Sequence, residues 1–332
     1  MYNEIFELPD GFLDAKHQDL FSLLKKPTLI HLEGKQKAPV FITTLLHGNE
    51  DSGLIALQQL LKKYGTNKLP RSLSIFIGNV EAAAEDMRHL PEQPDYNRVW
   101  PGTEHSECNE TLLMQEIVST MKSRHPFASI DLHNNTGRNP HYGCVNRLNP
   151  QYLQLARLFS HTVVYFTTPK GVQSEAMAKI CPAVTLECGK VGELDGIDHA
   201  CRYLETVLEL DHLPDHVPSD IDLFHTVARV TILDELDFSF DGSGDLTLDG
   251  SIELYNFKEI HEGTRFATLN TDNEKIFNVF DDHGSDLNDE FFIKENNIIK
   301  LKKSVMPSMF TKDKYVIRED CLCYLMERLP HP

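Results

Sequence analysis

The sequence predicts an α/β protein: a layered, largely parallel mixed sheet flanked by helices, followed by a small C-terminal β-rich domain. Three observations predict it. Apolar runs of strand length alternate with helical patterns through the first two thirds of the chain, as strands connected by crossover helices require. Two prolines in Leu213 to Asp220 (LPDHVPSD) break that rhythm, and short alternating runs punctuated by Gly, Asn and Asp follow. A length of 332 residues also favours two domains at about 150 residues each. We place them at 1–213 and 214–332.

Each element has its own signal. Pro39 to Leu46 (PVFITTLL) is a continuous apolar run, the mark of a strand buried on both faces. Leu54, Leu57, Leu60 and Leu61 fall at helical spacing within Glu50 to Tyr64. Ser72 to Ile77 reads as the next strand, Asn109 to Met121 as a helix, Ala128 to Leu132 as a strand and Gln151 to Phe159 as a helix. Thr162 to Phe166 and Ala183 to Leu186 are short strands, and Asp195 to Leu210 is a long helix. Thr226 to Leu233 is the clearest strand of the second domain. The connection from Gly78 to Glu107, broken by Pro91, Pro94, Pro101 and Gly102, is too long for simple linkage and marks a functional loop.

Composition narrows the function. With 41% hydrophobic and 25% charged residues the chain has the makings of an ordinary globular core. Lys and Arg number 32 against 50 Asp and Glu, a net charge of −18, so a nucleic-acid duplex or an anionic membrane surface is a poor partner. No run approaches the roughly 18 apolar residues of a membrane helix, and the first residues lack the basic head and apolar stretch of a signal peptide. Seven cysteines without a CxxC pair fit a reducing compartment. A cytoplasmic location is expected, and a homo-oligomer is compatible with the sequence.

The chemistry concentrates at the ends of the predicted strands, where α/β sheets gather their ligands. The first strand leads into His47-Gly48-Asn49-Glu50. Across a strand-to-helix turn, His47 and Glu50 can point into one site, and imidazole with carboxylate is a natural zinc pair. A helix cap beside a surface histidine is the plain alternative. A second match to that spacing, His89-Leu90-Pro91-Glu92, follows no strand and reads as accidental. Ala128 to Leu132 leads into His133, with Asp131 two residues earlier on the same strand face and suited to orienting an imidazole. Ala183 to Leu186 closes on Glu187, a carboxylate costly to desolvate unless it has a partner or a task, such as general base beside an activated water. Its neighbour Cys188 points to the opposite face, into the core. In the long loop Arg88 can stabilise a developing oxyanion, and Asn97 with Arg98 can grip a carboxylate. Rival motifs (a G-x-S-x-G elbow, a phosphate loop, a G-x-G-x-x-G after a strand) are missing.

Taken in order, these segments resemble the succinylglutamate desuccinylase/aspartoacylase family, relatives of the zinc carboxypeptidases. The matching pieces are His47-Gly48-Asn49-Glu50, Gly78-Asn79 with Ala82 and Arg88, and Tyr96 to Gly102. They continue with Asp131-Leu132-His133-Asn134 and Thr185-Leu186-Glu187-Cys188-Gly189-Lys190. The resemblance implies one Zn²⁺ per chain, bound by His47, Glu50 and His133. It also implies Glu187 as the catalytic carboxylate, Arg88 polarising the scissile carbonyl, and Asn97 with Arg98 holding a substrate carboxylate. The implied partner is a small N-acyl amino acid or related amide. One departure bears on specificity. Aspartoacylases carry an arginine for a second substrate carboxylate where this chain has Met177, with Lys179 two residues on. A metallocarboxypeptidase acting on a peptide or cell-wall fragment, and a zinc-bound ligand-binding module without turnover, are the alternative readings. The C-terminal region resembles the family's smaller β domain only around His261-Glu262-Gly263, and it is a candidate for shaping the entrance to the site.

Overall fold

The computed structural model describes residues 1–330 apart from Asp272 and Glu274; His331 and Pro332, the end of the expected second domain, lie outside the described residues. Two compact units emerge, one of residues 1–134 and 141–223, the other of 135–140 and 224–330. No helix among the described residues is long and apolar enough to cross a membrane. All seven cysteines are free thiols.

The first unit carries eight strands and seven helices among the described residues. They run β1 (Asn3–Ile5), α1 (Leu20–Leu24), β2 (Thr28–Leu32), β3 (Gly34–Thr44), α2 (Ser52–Tyr64), β4 (Leu69–Ile77), α3 (Val80–Ala84) and α4 (Asn109–Arg124). After these come β5 (Ala128–Asn135), β6 (Tyr142–Val145), α5 (Pro150–Arg157), β7 (Thr162–Tyr165), α6 (Gln173–Met177), β8 (Ala183–Lys190) and α7 (Leu194–Glu209). The strand order is β1-β2-β4-β3-β5-β8-β6-β7. β3 runs parallel to β4 and β5, and β6 parallel to β7. β2 is antiparallel to β4 and β6 is antiparallel to β8, so the sheet is mixed, as expected.

Strand alternation divides the sheet into two chemically different faces. Phe41 and Phe76 face α4 and pack with Met114, Ile117, Met121 and the fully buried Trp100. Farther along the same face the side chains turn polar: Thr43 and Asp131 hydrogen-bond, Ser129 accepts from Gln173 of α6, and Thr185 donates to Ser174. His133 and Glu187 belong to this row by the two-residue period of β5 and β8. The opposite face is apolar over Ile42, Ile130, Leu132, Val184 and Leu186, all buried. There α2 packs on α7, and its Gly53 abuts Leu132.

Among the boundaries that differ from the sequence reading, three bear on the site. β3 stops at Thr44 rather than Leu46, because Leu45 turns to φ 55° and ends the extended run. β5 and β8 run on to Asn135 and Lys190, so His133 and Glu187 lie within strands and do not close them. For β8 the reason is β6, whose Tyr142 pairs with Glu187; its four residues, one a glycine, are too short a run to signal a strand. Asn134 extends β5 despite asparagine's poor strand propensity, since tertiary hydrogen bonds hold it in place.

The second unit is β-rich. β9 (Asp222–Ile232) pairs antiparallel with both β13 (Phe277–Phe280) and β17 (Cys323–Arg328), and β17 with β16 (Met306–Ser308). A five-stranded sheet follows the order β10 (Phe238–Ser239), β11 (Leu246–Leu248), β12 (Arg265–Leu269), β15 (Ile298–Leu301), β14 (Phe292–Glu295). Among the described residues it also holds two short helices, α8 (Asn288–Phe291) and α9 (Lys314–Glu319). Its core centres on phenylalanines: the Phe266 and Phe292 rings lie 4.8 Å apart and Phe277 and Phe292 5.0 Å apart.

Candidate active site

Past Leu45 the chain enters the tight turn that bears His47 and Glu50, closed by a hydrogen bond from Glu50 N to His47 O at 3.2 Å. Gly48 is required in this turn. A Cβ there would lie 2.3 Å from Ala83 N, and its own N–H donates to Arg88 O at 3.1 Å. The turn is thereby fastened to the long loop that follows α3. Trp100 anchors the other end of that loop. Its indole donates to Tyr96 O at 2.9 Å, its N–H donates to Gly171 O at 3.0 Å, and its ring meets Phe76 edge-on. A buried aromatic thus fixes the segment carrying Asp95, Asn97 and Arg98.

His47, Glu50 and His133 converge, with one ligand-type atom of each within 4.8 Å of the others, and all three residues are buried. Nδ1 of His47 lies 2.8 Å from Glu50 Oε1, and Nδ1 of His133 lies 2.8 Å from Glu50 Oε2. The other nitrogen of each ring faces a second carboxylate: His47 Nε2 is 3.0 Å from Asp95 Oδ1, and His133 Nε2 is 2.9 Å from Asp131 Oδ2. Both nitrogens of each ring thus face a carboxylate, and a cation taking the place of the Nδ1 protons would leave each Nε2–H donating to the carboxylate behind it. Three electron-pair donors facing one another repel unless positive charge lies among them. The local charge agrees. Glu50, Asp95 and Asp131 set carboxylates around the two rings, an environment that favours positive charge between them. The residues therefore fit zinc, whose ligands are imidazole nitrogen and carboxylate oxygen.

The titration behaviour follows the same logic. Burial alone pushes the Glu50 carboxyl up, but His47 and His133 outweigh it and hold the pKa well below the usual carboxylate range. At Asp95 burial is likewise overcome, chiefly by Arg88, then by His47 and Arg98. Burial opposes a charged His133, yet Asp131 and Glu50 raise its pKa well above that of free histidine. A cradle that draws a proton so strongly draws a metal cation for the same reason.

Glu187 behaves differently. Burial raises its pKa to about 7, against a smaller opposing pull from His133. Its Oε2 is buried without a hydrogen-bond partner, unlike both oxygens of Glu50. A carboxyl poised near neutrality can take up a proton and return it.

The long loop supplies the cations. Arg88 donates to Asp95 Oδ2 through Nε at 3.1 Å and Nη2 at 2.8 Å, and its Nη1 stands 3.9 Å from Glu50 Oε1. Arg98 Nη1 donates to Asn97 O at 2.9 Å. Asn97 is buried. Its Oδ1 accepts from Gln173 N at 2.9 Å, while its Nδ2 donates to Asp131 Oδ2 at 3.4 Å and lies 3.1 Å from His133 Nε2. Met177 is fully buried in the core with Trp100 and Met114, whereas Lys179 is exposed. His89 and Glu92 take no part in the metal-competent group.

All seven residues singled out from the sequence lie in the first unit, and the folded chain brings His47, Glu50 and His133 together directly. Asp131 does face the imidazole it was suited to orient. Asp95 was missed: its only local signal is a carboxylate two residues before Asn97, and its partner His47 lies 48 positions away. Asn134, which joins the Glu50 turn to β8, was missed as well.

The family model of the succinylglutamate desuccinylase/aspartoacylase catalytic domain matches residues 36–210. Solved structures share the fold. Succinylglutamate desuccinylase from Vibrio cholerae is 16% identical, with a TM-score of 0.62 over 97% of this chain and 95% of that one. Murine aminoacylase 3 is 14% identical, with a TM-score of 0.60 over 90% and 97%. The succinylglutamate desuccinylase of Chromobacterium violaceum is 16% identical, with a TM-score of 0.59 over 90% and 87%. No curated protein sequence matches the chain. The matched segment contains every residue of the site described above, and the chain belongs to the succinylglutamate desuccinylase/aspartoacylase family of hydrolases.

Proposed function

We propose that this chain is a zinc-dependent deacylase that cleaves the amide bond of an N-acylated amino acid or a similar small amide. The observation that carries the proposal is the pairing of a metal-competent His47–Glu50–His133 group with a buried, unpartnered Glu187 carboxyl poised near neutrality. Residues 1–213 would hold the chemistry, with 214–332 as the smaller β-rich domain.

His47 and His133, through Nδ1, and Glu50 would hold one zinc ion. Bound there, zinc supplies Lewis acidity, polarising a carbonyl and making a water more acidic. Glu187 takes the proton from the attacking water as the C–O bond forms at the amide carbon. It then gives that proton to the nitrogen as the C–N bond breaks, leaving a carboxylic acid and a free amine. Arg88 offsets the negative charge that develops on the carbonyl oxygen. Arg98 grips the carboxylate of the amino-acid part, with Asn97 beside it also donating to Asp131 behind His133. Met177 in the core supplies no charge for a second substrate carboxylate, so preference for N-acetylaspartate is not expected.

The test is amine release from a panel of N-acetyl, N-succinyl and N-formyl amino acids by zinc-loaded protein, with Glu187→Gln as the blank. Turnover of any member above the blank is the expected result. Cleavage of a peptide with none of the panel would replace this reading with a metallocarboxypeptidase. His133→Ala is expected to lower zinc content per chain in a metal assay, and full occupancy would remove His133 from the ligand set.

A further inference from the structure

Asn134 follows the ligand His133 directly, yet strand alternation turns its side chain away from the metal-competent group. It is 5% exposed, and every polar atom it offers toward its neighbours is used. Its peptide N–H donates to Glu50 Oε2 at 3.0 Å. Its side-chain Nδ2 donates twice, to Ser52 Oγ and to Gly189 O, both at 2.9 Å. Its Oδ1 accepts from Ser52 N at 3.2 Å. Ser52 opens α2 two residues after Glu50, and Gly189 lies on β8 two residues after Glu187. One amide therefore ties together the three pieces of backbone that carry Glu50, His133 and Glu187.

We propose that Asn134 is a positioning residue that sets the placement of Glu187 relative to the His47–Glu50–His133 group. The geometry asks for an amide. Aspartate at this position would turn an oxygen toward the Gly189 carbonyl and lose both donations, and alanine would leave the Gly189 oxygen and the Ser52 hydroxyl without this partner. Either change frees the β8 backbone to drift relative to the Glu50 turn. Displacements well under the width of an atom matter when a base must meet a water at hydrogen-bonding distance. The same amide steadies the turn that aims Glu50, so it bears on metal affinity as well as on turnover.

The kinetic part of this proposal rests on the deacylase reading, and the metal part does not. The experiment compares wild type with Asn134→Ala in three measurements on the full chain: zinc affinity by competition with a chelator, kcat and KM at saturating zinc on a substrate that wild type turns over, and the thermal midpoint. Support for an outer ligand typically changes metal affinity or activity about 10–100-fold. We expect a loss in that range in zinc affinity and in kcat, with KM within about two-fold. A merely structural asparagine would lower the thermal midpoint while leaving kcat per zinc-loaded molecule and zinc affinity unchanged, and that result overturns the proposal. If wild type itself turns over nothing on the panel, the deacylase reading fails first. The chelator competition then still decides whether Asn134 supports the metal group.

Discussion

The two faces of the same three strands do opposite work. On one face of β3, β5 and β8, Thr43, Asp131, His133, Thr185 and Glu187 form a buried polar row; on the other, Ile42, Ile130, Leu132, Val184 and Leu186 pack into an apolar layer. Burial is nearly complete on both, so exposure does not separate them. They differ in what burial does. On the apolar face it stabilises, at about 25 cal/mol for each square ångström removed from water. On the polar face it costs free energy, offset only where each charge finds a partner. Glu50, Asp95 and Asp131 have such partners. Glu187 Oε2 has none, and its raised pKa records that cost. The site therefore spends stability that the apolar face must provide.

Substitutions on the two faces should separate activity from stability. The largest effect is expected from Glu187→Gln, which removes the proton carrier and keeps its shape. Turnover should fall by about 10²–10⁴-fold, while zinc content stays and the thermal midpoint holds or rises, because a buried unpaired carboxyl becomes a neutral amide. Turnover equal to wild type would remove Glu187 from the chemistry. On the other face, Leu132→Ala should destabilise by about 2–5 kcal/mol in denaturant unfolding, with turnover per folded molecule changed far less. A large loss of turnover with little loss of stability would erase the distinction between the faces.

Asp95→Asn sharpens the comparison within the polar face, since it leaves the three ligand side chains in place and weakens the support behind His47 together with the ion pair that holds Arg88. A loss of about 10–100-fold in zinc affinity or activity is expected; chelator competition and steady-state rates measure it, and unchanged values in both would make Asp95 a bystander. The smallest effect concerns His17, held between Asp51 at 3.2 Å and Asp86 at 3.0 Å. The hydrogen bond to Asp51 raises its pKa above the free value despite burial. A folded-state pKa above the unfolded one means the fold favours the protonated ring. This contribution is complete below the unfolded pKa of about 6.5 and is lost as pH rises through the folded value. The thermal midpoints of wild type and His17→Asn should therefore converge as pH increases; a gap that widens with pH would contradict the assignment.

Much of this was legible in the sequence, because the informative signals were local. Leu54, Leu57, Leu60 and Leu61 announce one face of α2, and all four are buried. Apolar runs ending in His47-Gly48-Asn49-Glu50, in His133 and in Glu187 announce where the chemistry gathers, since short-range periodicity determines which strands are buried and where they deliver polar side chains. Other features have no local signal. β6 is too short to stand out, yet it carries Tyr142 opposite Glu187. Nothing near Asp95 says that it meets His47, 48 positions earlier, and nothing near Glu50 says that it meets His133, 83 positions later.

The sequence by itself determined the alternation of strands and helices, the change to short β runs after Leu213, and the residue types able to bind zinc and move a proton. Only the tertiary structure decided which carboxylate backs which imidazole, that Met177 lies in the core, and that Glu187 titrates near neutrality while Glu50 stays ionised. The reason is electrostatic. A carboxyl's pKa depends on the water it loses and the charges brought within a few ångströms of it, and both depend on segments that meet only when the chain folds.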